Sequence, residues 1–323
     1  MQFRTQLEPS LSKAKFSLEH NIFSIGSCFA DTMGQRLSTN KFNTLSNPFG
    51  IIFNPVSIAE LLDLCLTNQQ PSEDLYLESG GVHSHYLFHS SFSGLSKQEV
   101  ALKIQGALSS TKSFLQKSNW LILTLGTAMV YQRISDGRVV ANCHKQPAAQ
   151  FVKRILSRKE ILSSLTPVFE QLRQLNPKMN ILLTVSPVRH SKDTLEVNSA
   201  SKAVLRLVCE TLRQKEFVHY FPSFEIVMDD LRDYRFFESD LVHPNKQAQD
   251  YIWDIFQTTY FDPETRSIVD NWVNISSKLN HKPFHPSSQN HQLFLTKLIK
   301  SLADISSKID VTEEIEKVKK QIL

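Results

Sequence analysis

Features that would indicate a membrane or exported protein are missing from this 323-residue sequence. No apolar run approaches the roughly 18 residues that a membrane span requires. The basic N-terminal residues Arg4, Lys13 and Lys15 are not followed by the apolar segment of a secretory signal. We therefore expect a cytoplasmic protein that does not bind membranes.

Cysteine is scarce, and basic residues are not clustered. The four cysteines, at positions 28, 65, 143 and 209, form no C-x-x-C pair, which argues against a disulfide framework or a zinc knuckle. The net charge of +4 is spread along the chain, so nucleic acid is not an expected partner. His83, His85 and His89 lack adjacent acidic or cysteine partners, and we interpret them as solvated loop histidines. No metal or other cofactor is predicted.

What the sequence contains is an alternation of short apolar runs with longer amphipathic segments. Runs at 21–26, 120–126, 180–186 and 217–222 are rich in Ile, Leu, Val and Phe, as parallel strands buried on both faces should be. We therefore predict an α/β fold, a three-layer α/β/α sandwich around a parallel sheet. The stretch 76–94, with paired glycines and alternating aromatics, predicts a small hairpin or lid.

Capping signals mark several helix starts. Asn54 precedes a proline, and Ser96 and Ser157 each begin an S-x-x-E capping box. Pro244 is predicted to open a later helix.

The character of the chain changes after residue 262. Residues 281–291 are predicted to form a loop, and a long amphipathic helix follows, with apolar residues from Leu295 to Ile309. We expect two units: an α/β domain over 1–262 and a helical extension over 263–323. The extension is predicted to pack against the domain or against a second copy, as in a homo-oligomer.

Two small nucleophilic residues, Ser27 and Cys28, follow the first predicted strand. In an open parallel sheet ligands bind at the carboxyl ends of the strands. A hydroxyl or thiol at a strand-to-helix junction is close to free amides and the helix dipole, which stabilise an anion. The alternative is structural, because a tight turn needs small residues and cysteine is often simply buried.

A D-x-x-H spacing, Asp240 to His243, occurs late in the chain. One helical turn separates the two residues, so the carboxylate can bind the imidazole Nδ1 and leave Nε2 free as a base. Alternatively, Asp240 only caps a helix and His243 lies on the surface. Together with a nucleophile at position 27 or 28, this pair favours acyl transfer.

Several further strings carry a family resemblance. They occur in this order: GSCFA (26–30), NPFGIIFNP (47–55), LTLGTAMVY (123–131), ANCHK (141–145), TVSPVRH (184–190) and DLRDYRFFESDLVHPN (230–245). On these strings the chain resembles the GSCFA family, which is similar to the SGNH, or GDSL-type, hydrolase superfamily of esterases and acyltransferases. The resemblance implies an α/β/α sandwich with the nucleophile in the first block, oxyanion donors in the second and third, and D-x-x-H in the last.

The resemblance leaves the nucleophile open. Where the superfamily has Gly-Asp-Ser, a gapless match on Gly26 puts Cys28 at the nucleophile position, and it puts Phe29 where an apolar residue is expected. A shift by one residue would instead keep serine chemistry at Ser27.

The oxyanion donors and substrate contacts also depart from the superfamily pattern. The third block normally supplies Gly-x-Asn, and here the glycine and the next residue are followed by alanine. The candidate substrate-binding residues are Asn47, Gly50, Gly126, Thr127, Asn142, His144, Arg189, His190 and His89. Asn142, or Asn47 with Gly50, would replace the missing amide, and Arg189, His190 and His144 suit a carboxylate, phosphate or sugar hydroxyl. Otherwise Arg189 pairs with an aspartate of the DDLRDYR segment and His144 closes a loop.

These patterns predict an ester hydrolase or acyltransferase that uses a covalent acyl-enzyme. The superfamily analogy indicates a small acyl ester as substrate, such as an acetyl ester of a carbohydrate. The alternative is a catalytically inactive protein that binds a glycan or peptidoglycan fragment, which the altered first and third blocks favour.

Overall fold

A computed structural model describes residues 4–190 and 192–323. The strands are β1 (Asn21–Gly26), β2 (Asn43–Ser46), β3 (Tyr76–Ser79), β4 (Val82–His85), β5 (Trp120–Leu125), β6 (Met129–Arg133), β7 (Val139–Val140), β8 (Phe151–Ile155), β9 (Asn180–Val185) and β10 (Val218–Tyr220). The helices are α1 (Cys28–Thr39), α2 (Pro55–Thr67), α3 (Lys97–Leu115), α4 (Arg158–Leu175), α5 (Leu195–Leu212), α6 (Ser223–Glu225), α7 (Lys246–Tyr260), α8 (Pro263–Leu279), α9 (Gln289–Ile305) and α10 (Thr312–Lys319).

The central sheet has five parallel strands in the order β2-β1-β5-β9-β10. It confirms the predicted α/β class and contains all four predicted strands. The chain runs from β1 outward to β2 and then crosses to β5 on the other side of β1, so the strand order reverses between β1 and β5. Such a switch point opens a crevice at the carboxyl ends of the strands. The first functional block, Gly26 to Cys28, lies at this position.

Side chains that alternate along the strands build a separate core on each face of the sheet. On one face, Ile22, Ile122 and Leu182 pack with α1 and α7. On the other, Phe23, Leu121 and residues of β9 pack with α2, α3, α4 and α5. Both faces exclude water, which explains why the strands read as continuous apolar runs. The result is the predicted three-layer α/β/α sandwich.

Other strands escaped the sequence analysis. β2 is a half-exposed edge strand of mostly polar residues. β6, β7 and β8 form an antiparallel sheet in the order β7-β6-β8, and the outer strand β8 carries the charged residues Lys153 and Arg154. Neither β2 nor the antiparallel sheet contains the continuous apolar run of a strand buried on both faces. The hairpin predicted within 76–94 is confirmed, as β3 and β4.

The helix starts predicted at Asn54, Ser96 and Ser157 are confirmed, since each precedes a helix and accepts a hydrogen bond from its first turn. The reciprocal capping box is formed only at Ser157, because the Glu99 carboxylate accepts from the Leu95 amide rather than from Ser96. The prediction for Pro244 is wrong. Helix α7 begins two residues later, and Asn245 is its cap, because the Asn245 Oδ1 accepts from the Ala248 amide at 3.1 Å.

The C-terminal helices have their own apolar cluster and also contact the α/β layers of the same chain. Trp272 Nε1 donates to the Thr39 carbonyl at 2.7 Å, and Lys41 pairs with Glu314 at 2.7 Å. No helix in the described part of the chain combines the length and apolarity needed to cross a membrane. The division at residue 262, the homo-oligomer and the cytoplasmic location stay predictions.

Candidate active site

The junction between β1 and α1 requires glycine and a small capping residue. Gly26 has φ of +146°, and a Cβ there would lie 2.1 Å from the Thr124 carbonyl oxygen, so no side chain fits. Ser27 is the N-cap of α1, and its Oγ accepts from the Phe29 amide at 3.3 Å. Ser27 is buried and already satisfies a helix-terminal amide, so its structural role is to start the helix.

Cys28, the first residue of α1, meets the D-x-x-H pair. Its Sγ lies 3.4 Å from His243 Nε2, although 215 positions separate the two residues. His243 Nδ1 in turn lies 2.7 Å from Asp240 Oδ2. A carboxylate only accepts hydrogen bonds, so Nδ1 carries the hydrogen and Nε2 presents its lone pair to the thiol. The three side chains have the connectivity of nucleophile, base and orienting carboxylate.

Asp240 is held ionised by its own loop. The amides of His243 and Val242 donate to its Oδ1 at 3.0 and 2.9 Å. Together with the imidazole, these hydrogen bonds lower the pKa of Asp240 to about 2, the His243 amide contributing most. The carboxylate therefore stays charged at any physiological pH and keeps the imidazole in one orientation.

The Cys28 thiol is half-buried, and this burial raises its pKa. Its own amide and that of Phe29 act in the opposite direction, Asp31 raises the pKa further, and Lys202 lowers it. The sulfur is therefore mostly a protonated thiol at neutral pH, and attack requires a base to remove the proton. The Cys28 amide donates to no oxygen among the described residues, so it is a free donor beside the sulfur.

The amides predicted to hold an oxyanion in the second block are used within the protein. Asn47 Oδ1 accepts from the Gly26 amide at 2.8 Å, and its Nδ2 donates to Asp31 at 2.6 Å. The Gly50 amide donates to the Asn47 carbonyl at 2.8 Å. Asn47 therefore ties the second block to the first and stabilises the strained turn at Gly26.

The backbone amides of the third block also form hydrogen bonds within the protein. The amides of Gly126 and Thr127 donate to the Phe53 carbonyl at 2.9 and 3.2 Å. Thr127 Oγ1 lies 2.8 Å from Ser201 Oγ in the interior. Space at Gly126 is also limited, since a Cβ there would lie 3.2 Å from the Ser27 Cβ. This block therefore packs against the turn at Ser27, and the amides of Gly126 and Thr127 are not available to bind a ligand.

Asn142, His144 and His89 lie on the loops that follow β7 and β4. Asn142 Oδ1 accepts from the His144 amide at 2.9 Å, and His144 Nε2 lies 3.0 Å from the His85 carbonyl. The His89 amide donates to the Phe49 carbonyl, and its side chain packs on Gly50. Within the described residues no hydrogen bond joins these three to Cys28 or His243. Burial lowers the pKa of His144.

The interpretation of the three hairpin histidines as solvated is wrong for one of them. His85 is fully buried, and this burial lowers its pKa to about 4. Residues 4–190 and 192–323 contain no group of acidic, cysteine and histidine side chains that could hold a metal ion.

Arg189 supports the loop that carries the base. Its guanidinium carbon lies 4.2 Å from the Phe237 ring centroid and 4.9 Å from that of Tyr234, and its Nη1 donates to the Leu241 carbonyl at 3.3 Å. Its amide also donates to the Val242 carbonyl at 3.2 Å. The proposed pairing with an aspartate is replaced by stacking on aromatic rings of the same region. This contact matters because Leu241 has a φ of +59°, which an isolated chain would avoid.

His190 lies on the same loop as Arg189. Its Nε2 lies 3.5 Å from Asp193 Oδ2, and its ring lies 6.0 Å from that of Phe53, whose carbonyl binds the third block. Burial lowers the pKa of His190. The residue is therefore placed beside the crevice, without a hydrogen bond to Cys28 or His243 among the described residues.

We expect Arg189→Met to lower the free energy of unfolding by about 1–2 kcal/mol, the sum of a cation–π contact and a hydrogen bond. The matched control is Arg213→Met, which removes only an exposed pair with Glu210 and should change the free energy by less than about 0.5 kcal/mol. Urea unfolding measures both. Unchanged stability together with a raised KM would show that the guanidinium binds substrate instead.

Lys202 was missed by the sequence analysis. It is fully buried, and its Nζ donates to the carbonyls of Gly126 and Ser186 at 2.7 and 2.6 Å, at the ends of β5 and β9. The signal was available, because Lys202 lies on the inward stripe of α5 with Asn198 and Leu205.

The sequence matches the GSCFA family over residues 21–256 and the C-terminal domain of GSCFA domain proteins over residues 272–323. No curated protein shows a significant match to this chain. The first match covers well over half of the sequence and includes both Cys28 and His243. The chain therefore belongs to the GSCFA family.

Proposed function

We propose that the protein is an ester hydrolase or acyltransferase with Cys28 as its nucleophile. The observation that supports this most strongly is the chain of contacts from Cys28 Sγ to His243 Nε2, and from His243 Nδ1 to Asp240. If Asp240 were only a helix cap and His243 only a surface residue, nothing would require a half-buried thiol beside the free imidazole nitrogen. Ser27 is the less suitable nucleophile, because its hydroxyl oxygen is occupied as a helix cap.

In the proposed reaction His243 Nε2 removes the Cys28 proton as Sγ attacks the ester carbonyl carbon. The new C–S bond converts the carbonyl oxygen to an oxyanion. The Cys28 amide, which donates to no oxygen among the described residues, supports this step as the proposed donor to the oxyanion. The tetrahedral intermediate collapses by breaking the C–O bond, and the leaving alkoxide takes the proton from His243. The product is a thioester on Cys28.

The second half reverses these roles. Water, or the hydroxyl of an acceptor, gives its proton to His243 Nε2 and attacks the thioester carbonyl carbon. The tetrahedral intermediate collapses by breaking the C–S bond, the Cys28 sulfur takes the proton back from His243, and the free acid or the new ester leaves. About 45% of the His243 side chain is exposed, so an acceptor can reach the base from solvent. The proposed substrate, a small acyl ester such as an acetylated carbohydrate, rests on the resemblance to SGNH hydrolases. The proposed chemistry uses no cofactor.

Trapping the acyl-enzyme tests this proposal. The protein is mixed with p-nitrophenyl acetate, quenched in acid and digested, and the peptides are weighed by mass spectrometry. We expect an acetyl group on the peptide that contains Cys28 and none on the Cys143 peptide, because burial raises the pKa of Cys143 to about 11. Acetylation of Ser27 in a Cys28→Ala variant that turns over normally would instead establish serine chemistry.

A glycan-binding protein without catalytic activity is the second candidate. The raised pKa of Cys28 favours this candidate, because a protonated thiol is a weak nucleophile. The hydrogen bonds of Asn47, Gly50 and Gly126 within the protein also favour it, because these groups are then not available to bind an oxyanion. Calorimetric titration with a peptidoglycan fragment, in the absence of any acyl adduct, would support binding alone.

A further inference from the structure

Lys202 has no acidic partner in the described part of the chain, although it is fully buried. Its two hydrogen-bond acceptors are the backbone carbonyls of Gly126 and Ser186, and the ring of Phe224 lies 5.8 Å from its Nζ. Buried lysines without a carboxylate are rare, because removing the ammonium from water is costly. Met or Leu would fill the same space without this penalty, so a structural role alone does not account for the residue.

The position of Lys202 links it to the nucleophile. Gly126 packs against Ser27, next to Cys28, and Ser186 follows β9 on the far side of β5. The ammonium therefore lies under the floor of the crevice, between the ends of two central strands. The charged groups around Cys28 are Asp31 on its own helix, His243 across the crevice and Lys202 below. Around Lys202 they are Cys28 and His190.

We propose that Lys202 is a positioning residue that stabilises negative charge on Cys28 from beneath the sheet edge, as a buried cation that never touches the substrate. The proposal rests on the role of Cys28 as nucleophile. A fixed charge in a water-poor interior acts over several ångströms with little screening. It favours the thiolate over the thiol and offsets the repulsion from Asp31.

The effect should depend on pH with a defined sign. Burial lowers the pKa of Lys202 to about 7, while the charge of Cys28 acts to raise it. Below about pH 7 the ammonium is charged and assists thiolate formation. As the pH rises through this value, the amine loses its proton and the assistance disappears.

The test is the rate at which iodoacetamide alkylates Cys28, followed by peptide mass spectrometry across this pH range. We expect Lys202→Met to slow alkylation about 10-fold at about pH 6, equivalent to one pKa unit, and to approach the wild-type rate at about pH 9. The matched control is Lys112→Met, which removes a lysine that also donates to a backbone carbonyl, that of Leu66, and it should match the wild type throughout. Equal rates for Lys202→Met and wild type at every pH would overturn the proposal.

A second measurement uses the wild-type protein, in case Lys202→Met does not fold. Iodoacetamide places a neutral group on the Cys28 sulfur, whereas iodoacetate places an anionic carboxymethyl group on it. Nitrogen-15 NMR should give a pKa of Lys202 that is higher by at least about half a unit in the carboxymethylated protein than in the protein alkylated with iodoacetamide. Identical pKa values in the two proteins would overturn the proposal. Neither readout needs a substrate. A fast, lysine-dependent thiol without ester turnover would therefore contradict the proposed function and leave this inference standing.

Discussion

Cys28→Ala is expected to reduce ester turnover by at least about 10³-fold, whereas Ser27→Ala keeps most of it. The sulfur of Cys28 faces the free nitrogen of His243, while the Ser27 hydroxyl is turned toward the Phe29 amide as a helix cap. Loss of the cap should lower the free energy of unfolding by about 1 kcal/mol, which chemical denaturation measures independently of activity. The two neighbouring variants therefore separate a catalytic role from a structural one.

The kinetic comparison uses p-nitrophenyl acetate and reports kcat/KM for both variants and for wild type. Cys65→Ala is a further control, because this thiol is buried and its pKa is raised to about 12. The assignment of the nucleophile fails if Ser27→Ala is the inactive variant and remains folded.

The second large effect is expected at the base. His243→Gln should lower kcat/KM by about 10²–10⁴-fold, because the thiol then has no acceptor for its proton. Asp240→Asn should have a smaller effect, about 10-fold to 10²-fold, since nearly half of the carboxylate side chain is exposed and water can partly replace it. Asp233→Asn is the matched control, an exposed aspartate that caps a neighbouring turn without a histidine partner.

The pH dependence follows from the lowered pKa of Asp240. The folded-state pKa is about 2 against an ordinary value of 3.8, so the charged carboxylate stabilises the folded protein above about pH 4. This contribution is lost as the pH falls through about 2, well below the range of an activity assay. The free energy of unfolding, measured with urea at about pH 2 and about pH 6, should therefore fall less on acidification in Asp240→Asn than in wild type. An equal fall in the two proteins would contradict this assignment.

Local patterns in the sequence were sufficient for four of the five central strands and for the pairing of Asp240 with His243. The four apolar runs became central strands because both faces of a parallel sheet exclude water, which imposes continuous hydrophobicity on each strand. The pairing of Asp240 with His243 was also predictable, since the two residues are three positions apart and their contact depends on a single turn.

Contacts between distant segments could not be read in this way. Asn47, Gly50 and Gly126 were predicted to bind the ligand. Instead the Asn47 side chain accepts from the Gly26 amide, and the amides of Gly50 and Gly126 donate to the carbonyls of Asn47 and Phe53. Arg189 had a candidate partner in a neighbouring acidic segment, and the aromatic rings of that segment bind it instead. In each case several candidate partners lie nearby in the sequence or the fold. The packing of the layers decides which of them comes into contact.

The sequence by itself determined the α/β class, four of the five central strands and the residue types that could carry acyl transfer, because periodicity, capping and spacing are local properties. The tertiary structure decided which of the two candidate nucleophiles faces His243. Ser27 and Cys28 are adjacent, and only the direction of each side chain at the start of α1 separates the cap from the thiol beside His243. It also placed Lys202 beneath them, because a buried cation is recognised only when the surrounding layers are in position.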